Sequence, residues 1–388
     1  MSNSIIGYEL NERYCQISYY HEENQEPQTL ETIAYSANDL YRRAVRHESD
    51  EIVHLLREFI ENSLSRFESI GQIVFTVPEL NVDIVRMLKG IAKRMDIDKD
   101  NVYVQDYKES FCNFMIYQPK ELWQYEAALF HCDRHEVKAF MLRKLRTGYG
   151  KGRDAFITVD EVASARMEEL AAVYPVLNVD RAKEADVQFK QFVQGVFDKK
   201  LVSSVFLVGE GFENNWYPQS LKVLCNGRRA FLGNNLYSKG ACYAAYKRSL
   251  GYEDSLIYLD ETKMMDQICL KLRMQGLDKW YPIVSWGSRW YESDMQCEIL
   301  LENTDDIEIH IESLVGAEMR VERVSLEGLP KRKNYTLRLQ VKVMMRNEKC
   351  CCISFKDMGF GEFFPATDFY VEKEIHLGGS NEQFNSLS

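Results

Sequence analysis

Paired cysteine spacing, long apolar runs and blocks of positive charge are all missing from this chain. Its ten cysteines show no CxxC spacing. Cys350-Cys351-Cys352 is no disulfide framework either, because neighbouring residues of a strand face opposite sides. Such usage fits a reducing compartment, and a cytoplasmic location is expected. No run approaches the roughly 18 to 20 apolar residues of a membrane span, and Met1 to Gly7 lacks the charged and apolar regions of a signal peptide. Lys and Arg number 48 against 59 Asp and Glu, a formal charge of −11 with no basic block. A field of that sign repels nucleic acid and anionic lipid, so neither is an expected partner. Also missing are a GxSxG elbow, a Walker loop, an HExxH pair and a GxGxxG turn, and the seven histidines fall without triad spacing. Gly148-Tyr149-Gly150-Lys151-Gly152 has the glycines of a phosphate loop without the following Ser or Thr, and it reads as a hairpin turn or linker.

What is present is ample core material. At 388 residues and 45% hydrophobic, the chain has enough for two or three domains. Up to about Trp280, apolar runs alternate with helical patterns, the reading of a mixed sheet covered by helices. Ile5 to Tyr20 forms a first hairpin. Ile52, Leu55, Leu56, Phe59, Ile60, Leu64 and Phe67 recur at helical spacing behind Asp50 and Glu51. Ile73 to Val77 is a strand stopped by Pro78, and Ile84 to Met95 carries the next helical stripe. Val102–Val104 and Ala127–Leu142 read as strands, and Phe189–Phe197 as a helix feeding the strand Val205–Val208. After Trp280 the period becomes two: Leu337, Leu339, Val341 and Val343 alternate with Arg338, Gln340 and Lys342, as half-buried antiparallel strands require. Between them, Met264, Met265, Ile268, Cys269 and Leu272 fit a helix. No internal repeat is visible. The expected division is an α/β domain over 1–250, a helical linker over 251–280, an all-β domain over 281–377, and a flexible polar tail over 378–388.

In this order the elements resemble a divergent seventy-kilodalton heat-shock (DnaK-type) chaperone of the actin and sugar-kinase ATPase superfamily, in a bacterial branch with degenerate nucleotide motifs. Ile73 to Met95 is similar to that family's Val-Pro strand and following helix. Val205-Phe206-Leu207-Val208-Gly209-Glu210-Gly211 and Asn234 to Ala245 are similar to its adenosine-side turn and small-residue helix. Ser325 to Pro330 resembles the opening of its peptide-binding β-sandwich. The resemblance implies an actin-like ATPase fold with ribonuclease-H-like lobes, followed by a β-sandwich that grips extended peptide. The family's helical lid has no counterpart in the eleven residues after Leu377, so a trapped peptide would leave quickly.

In that family two glycine-rich hairpins cradle the phosphates, because glycine lets backbone N–H groups approach the anion. Here Gly7-Tyr8-Glu9-Leu10-Asn11-Glu12-Arg13 puts Glu9 where the family's metal-binding acid stands, with Asn11 and Glu12 where a hydroxyl would donate. An acid aimed at a γ-phosphate repels it. The other reading is an ordinary hairpin with solvated charges. Phe130-His131-Cys132-Asp133-Arg134-His135-Glu136 replaces the second glycine hairpin without a single glycine. His131, Cys132, Asp133 and His135 are of metal-binding type, but consecutive ligands on a strand diverge, and no metal is expected. Bulky Asp106 to Phe111 stands where the family has alanines that let the lobes approach. On the adenosine side Gly209, Glu210, Gly211 and Gly240 are retained in part, either for a nucleoside or for tight turns and close packing.

The expected function is a degenerate chaperone-like pseudo-ATPase, a non-hydrolysing scaffold whose partner is a protein or peptide, with no tightly held cofactor. The first alternative is a slow ATPase with magnesium on Glu9 and water oriented by Glu12 or Asp133. The second is an actin-like assembly protein. Met295, Met319, Met344 and Met345 line either an adaptable groove or a core, and Trp280, Tyr281, Trp286, Trp290 and Tyr291 are expected to pack at the domain junction.

Overall fold

The computed structural model describes residues 4–20, 26–35, 39–146, 155–170, 176, 178–233, 235–251, 256–274, 276–302, 304–314, 319–332 and 336–377. Asn234, the glycine-rich stretch 148–152 and the tail after Leu377 lie outside them. The chain forms two compact units, Met1–Leu145 with Ile157–Asp254, and Arg146–Phe156 with Ser255–Ser388.

The first unit holds two sheets of one design. Strands β1 (Ser4–Leu10), β2 (Tyr14–Tyr20), β3 (Gln28–Thr29) and β4 (Ile33–Ala34) precede helices α1 (Leu40–Val45) and α2 (Asp50–Leu64). Then come β5 (Ile70–Val77), α3 (Val82–Arg94), β6 (Val102–Asp106) and α4 (Tyr107–Ile116). The sheet runs β3-β2-β1-β5-β6, with β1 antiparallel to β2 and parallel to β5. After it, β7 (Glu126–Cys132), β8 (Glu136–Arg146), β9 (Ala155–Arg166), α5 (Val179–Phe197), β10 (Val202–Val208), α6 (Pro218–Leu224), β11 (Arg229–Leu232) and α7 (Leu236–Leu250) repeat the scheme. That sheet runs β11-β10-β7-β8-β9, again with a hairpin beside a parallel strand. The doubling leaves no sequence repeat because the equivalent positions hold different residues, Glu9 against His131 for one. Strand order follows from where apolar runs and crossovers fall, not from residue identity.

Local chemistry explains the elements. In α2 the Ser49 hydroxyl accepts from the Ile52 N–H at 3.3 Å, Asp50 and Glu51 occupy the first turn, and Ile52, Leu56, Ile60 and Leu64 are buried at i, i+4 spacing. Asn81 caps α3 in the same way. The strand β5 lies between β1 and β6 with Ile73, Val74, Phe75 and Val77 buried, which accounts for its unbroken apolar run.

The last helices of the two lobes are exchanged. The α7 helix, which follows the second lobe's β11, packs on the first lobe's sheet: a Cβ on Gly7 would sit 2.2 Å from the Cys242 nitrogen and from the Ser238 carbonyl oxygen. In return, Phe111 and Phe114 of α4 pack edge-on against Phe206 of β10. Where α4 and α7 cross, a Cβ on Gly240 would meet the Ser110 carbonyl oxygen at 2.0 Å. The bulky residues of Asp106 to Phe111 therefore do not hold the lobes apart, as the sequence suggested. Glycine on the opposite helix admits them.

In the second unit, β12 (Ile257–Tyr258) is followed by β13 (Asp266–Met274), β14 (Leu277–Val284), β15 (Met295–Leu301), β16 (Asp306–Ser313), β17 (Met319–Ser325), β18 (Leu337–Asn347), β19 (Cys350–Asp357) and β20 (Tyr370–His376). Strands β13 to β20 form two antiparallel sheets, β14-β13-β16-β17 and β15-β18-β19-β20, which share one apolar core. The expected helical linker over 251–280 is strand instead. Ile268 and Leu270 are the alternating inward residues of β13, paired between β14 and β16, and a short apolar run satisfies both periods. Of the four methionines, Met295 and Met345 pack partly on this core, while Met319 and Met344 are exposed. Trp280 is also exposed and lies on the His310 ring at 3.5 Å, and Trp290 meets Tyr291 edge-on. Among the described residues no helix is long and apolar enough to cross a membrane.

Candidate functional site

The two hairpins β1–β2 and β7–β8 close in the same way. The last strand pairs are Leu10 with Cys15 and Cys132 with Val137, leaving the loops 11–14 and 133–136. In the first, Asn11 Oδ1 accepts from the N–H groups of Arg13 at 2.8 Å and Tyr14 at 2.9 Å. In the second, Asp133 Oδ1 accepts from His135 at 2.6 Å and Glu136 at 2.8 Å. Both are Asx turns, in which the side chain takes the loop N–H groups that a glycine hairpin would offer to an anion.

Each loop also sends an arginine to one acid. Glu210, just past the end of β10, accepts from Arg13 Nη1 on both carboxylate oxygens, and Arg134 Nε donates to its Oε1 at 2.9 Å. Glu210 therefore bridges two hairpins from two lobes. The glycines beside it are covered by backbone. Gly209 has φ +105°, and a Cβ there would lie 2.2 Å from the Cys132 carbonyl oxygen; one on Gly211 would lie 2.5 Å from that of Asp133. With Gly7 and Gly240 against α7 and α4, all four glycines serve close approach of chain to chain.

Below the clamp lies a polar pair from equivalent strand positions, two residues before each loop opens, with Glu9 buried and His131 partly so. Glu9 accepts from the Tyr107 hydroxyl at 3.0 Å, and His131 Nδ1 lies 3.0 Å from the Tyr237 hydroxyl. Tyr107 opens α4 and Tyr237 stands in the first turn of α7; their rings stack at 3.7 Å with 5° between planes. Burial pushes Glu9 up to about 7, against the hydrogen bonds from Tyr107 and Asn11. The same desolvation pushes His131 down to about 4. Both groups favour their neutral forms, as a dry site requires.

The remaining candidates go elsewhere. Glu12 pairs with Arg42 at 3.1 Å, so it is not the acid that would face a γ-phosphate. Asp133 is engaged by its own loop. Gly7, Glu9, Asn11, His131, Arg134, Gly209, Glu210, Gly211 and Gly240 do lie around one seam between the lobes, and the stacked Tyr107 and Tyr237 complete it. A cavity of about 320 Å³ is lined by Ile33, Leu40, Leu55, Phe59 and Ser63 among others, and by none of those candidates.

A family model described as the C-terminal part of a family of unknown function, DUF5716, matches residues 17–261, well over half of the chain. The chain belongs to that family. A second model, a domain of unknown function (DUF8552), matches residues 263–377. The seam between the two matches falls beside the break between the compact units, well before 280, and neither model names a chaperone. No curated protein matches the sequence. Among solved structures, a ROK family protein from Streptococcus pneumoniae in complex with sucrose is similar at 10% identity and TM-score 0.40, over 64% of this chain and 100% of that one. An inorganic polyphosphate/ATP-glucomannokinase from Arthrobacter is similar at 11% identity and TM-score 0.41, over 65% and 100%. The ethanolamine utilization protein EutJ from Carboxydothermus hydrogenoformans is similar at 9% and 0.36, over 63% and 90%. Likeness at this level says nothing about catalysis, and the doubled lobe architecture rests on strand order.

Proposed function

We propose that this protein is a non-hydrolysing scaffold whose ATPase-type cleft is closed by its own side chains, and that its partner is a protein or peptide in the cytoplasm. The observation that carries this reading is Glu210 held between Arg13 and Arg134. The two cations that would bind a phosphate already hold a carboxylate, and that carboxylate would repel a triphosphate. The residues present do not fit magnesium and ATP well: Glu9 is buried, its carboxyl is pushed up by that burial and it is bonded to Tyr107, which makes it a weaker ligand for a hard cation than a solvated carboxylate. Support for a protein partner comes from the second unit, where Leu277, Trp280, Tyr281, Met319 and Val321 expose apolar surface on the outer strands β14 and β17.

The test is titration calorimetry with ATP and magnesium on the full chain and on Glu210→Ala. The native chain is expected to give no binding, and the variant, with two arginines released, to acquire millimolar or tighter affinity for ATP or pyrophosphate. Micromolar binding with turnover by the native chain would overturn the reading in favour of a slow ATPase.

A further inference from the structure

The three successive cysteines of β19 do not share a face. Cys351 points into the core with Ile353 and Phe355, all fully buried, so Cys350 and Cys352 stand on the outer face of the sheet. The neighbouring strand β20 is antiparallel to it, with Cys350 opposite His376 and Cys352 opposite Glu374. Ile375 points inward, so Glu374 and His376 share the outer face with the two cysteines. The ligand atoms of Cys350, Glu374 and His376 all lie within 4.8 Å of one another, and His376 Nε2 is 3.3 Å from Glu374 Oε1. Donors around a single tetrahedral ion bonded at roughly 2.0–2.3 Å stand about 3.5 Å apart, so modest side-chain rotation closes the set.

We propose that Cys350, Glu374 and His376 form a site for one divalent ion of the zinc class, with a fourth position open to water. The donor set decides the metal. A thiolate and an imidazole favour zinc-like ions over magnesium or calcium, and three protein ligands are one short of a closed structural site. On binding, the Cys350 thiol proton leaves to solvent and the sulfur bonds the ion. Because β20 is the last strand of its sheet, the ion would staple an edge strand to its neighbour. One group opposes it: Arg346 on β18 is ion-paired with Glu374 and must release that carboxylate.

The experiment titrates the full chain with cobalt(II), reading thiolate-to-metal absorption in the near ultraviolet, and with zinc against a chromophoric chelator. The expected result is one ion per chain, a thiolate band, and a raised unfolding temperature for the second unit. Cys350→Ser should abolish the band, and His376→Gln should weaken zinc by about tenfold or more. Arg346→Ala should tighten it, and Cys225→Ser, an exposed thiol of the first unit, should change nothing. A band that survives Cys350→Ser, or its absence at stoichiometric cobalt in the folded chain, would overturn the proposal. Arg346→Ala that leaves zinc affinity unchanged would also count against it, since Glu374 would then not be a ligand.

Discussion

The hairpins 11–14 and 133–136 have the same geometry and different chemistry. Both are closed by an Asx side chain on the loop's own N–H groups, and both reach Glu210 with an arginine. Beneath the first lies an acid pushed up by burial, and beneath the second a base pushed down by it. Each bonds a tyrosine from the first turn of an exchanged helix, and the tyrosines stack on one another. The doubled fold is thus symmetric in backbone and helix placement, while the two halves of its seam carry different residues. In both halves the loop N–H groups and an arginine are engaged within the fold.

The strongest break of this comparison is at the helix crossing, where Gly240 and Ser110 each stand three residues after their stacked tyrosine. Gly240→Ala drives a Cβ into the Ser110 carbonyl and should cost about 3 kcal/mol or more, whereas Ser110→Ala should cost about 1 kcal/mol by losing its bonds to Thr76 and Gln105. Equal losses in denaturant unfolding would mean that the two helices meet on equal terms.

The pair beneath the loops predicts a pH profile. Glu9, raised from 4.5 to about 7, contributes stability present below pH 4.5 and lost as pH rises through 7. His131, lowered from 6.5 to about 4, contributes stability present above pH 6.5 and lost as pH falls through 4. Between pH 4.5 and 6.5 the two slopes oppose, so their joint contribution to stability is nearly flat. Glu9→Gln leaves His131 alone, and stability should then climb with pH across that window, by on the order of 2 to 3 kcal/mol. Unfolding midpoints at several pH values check this, and a flat profile in the variant would break the pairing of the halves.

The smallest expected effect sharpens the clamp. Arg13 contacts both oxygens of Glu210 and Arg134 mainly one, so Arg13→Ala should destabilise more than Arg134→Ala. Their side chains are 38% and 42% exposed, and solvent screening holds both losses below about 1 kcal/mol. A double-mutant cycle with Glu210→Ala measures each coupling.

Several parts were legible in the residues themselves. The helical stripe from Ile52 to Leu64, the Ile73–Val77 strand ahead of Pro78, and the alternation from Leu337 to Val343 each follow from a period that burial on one face imposes. The absence of glycine from both hairpin loops was equally plain, since it is read directly from residues 11–14 and 133–136. Residues 264–272 misled because five apolar positions suit a helix and a strand alike. The Tyr107–Tyr237 stack escaped notice since its members are 130 positions apart, as did Cys350 with His376, which only strand pairing brings together.

Sequence alone determined most of the strands and helices, through local periodicity, and that neither hairpin loop carries a glycine, through residue type. Tertiary structure decided what those loops and the acid beside them contact. Whether Glu210 repels a ligand or is itself held, and whether Gly240 serves a nucleotide or a helix crossing, depends on contacts between residues 76 to 197 positions apart, which no local pattern encodes.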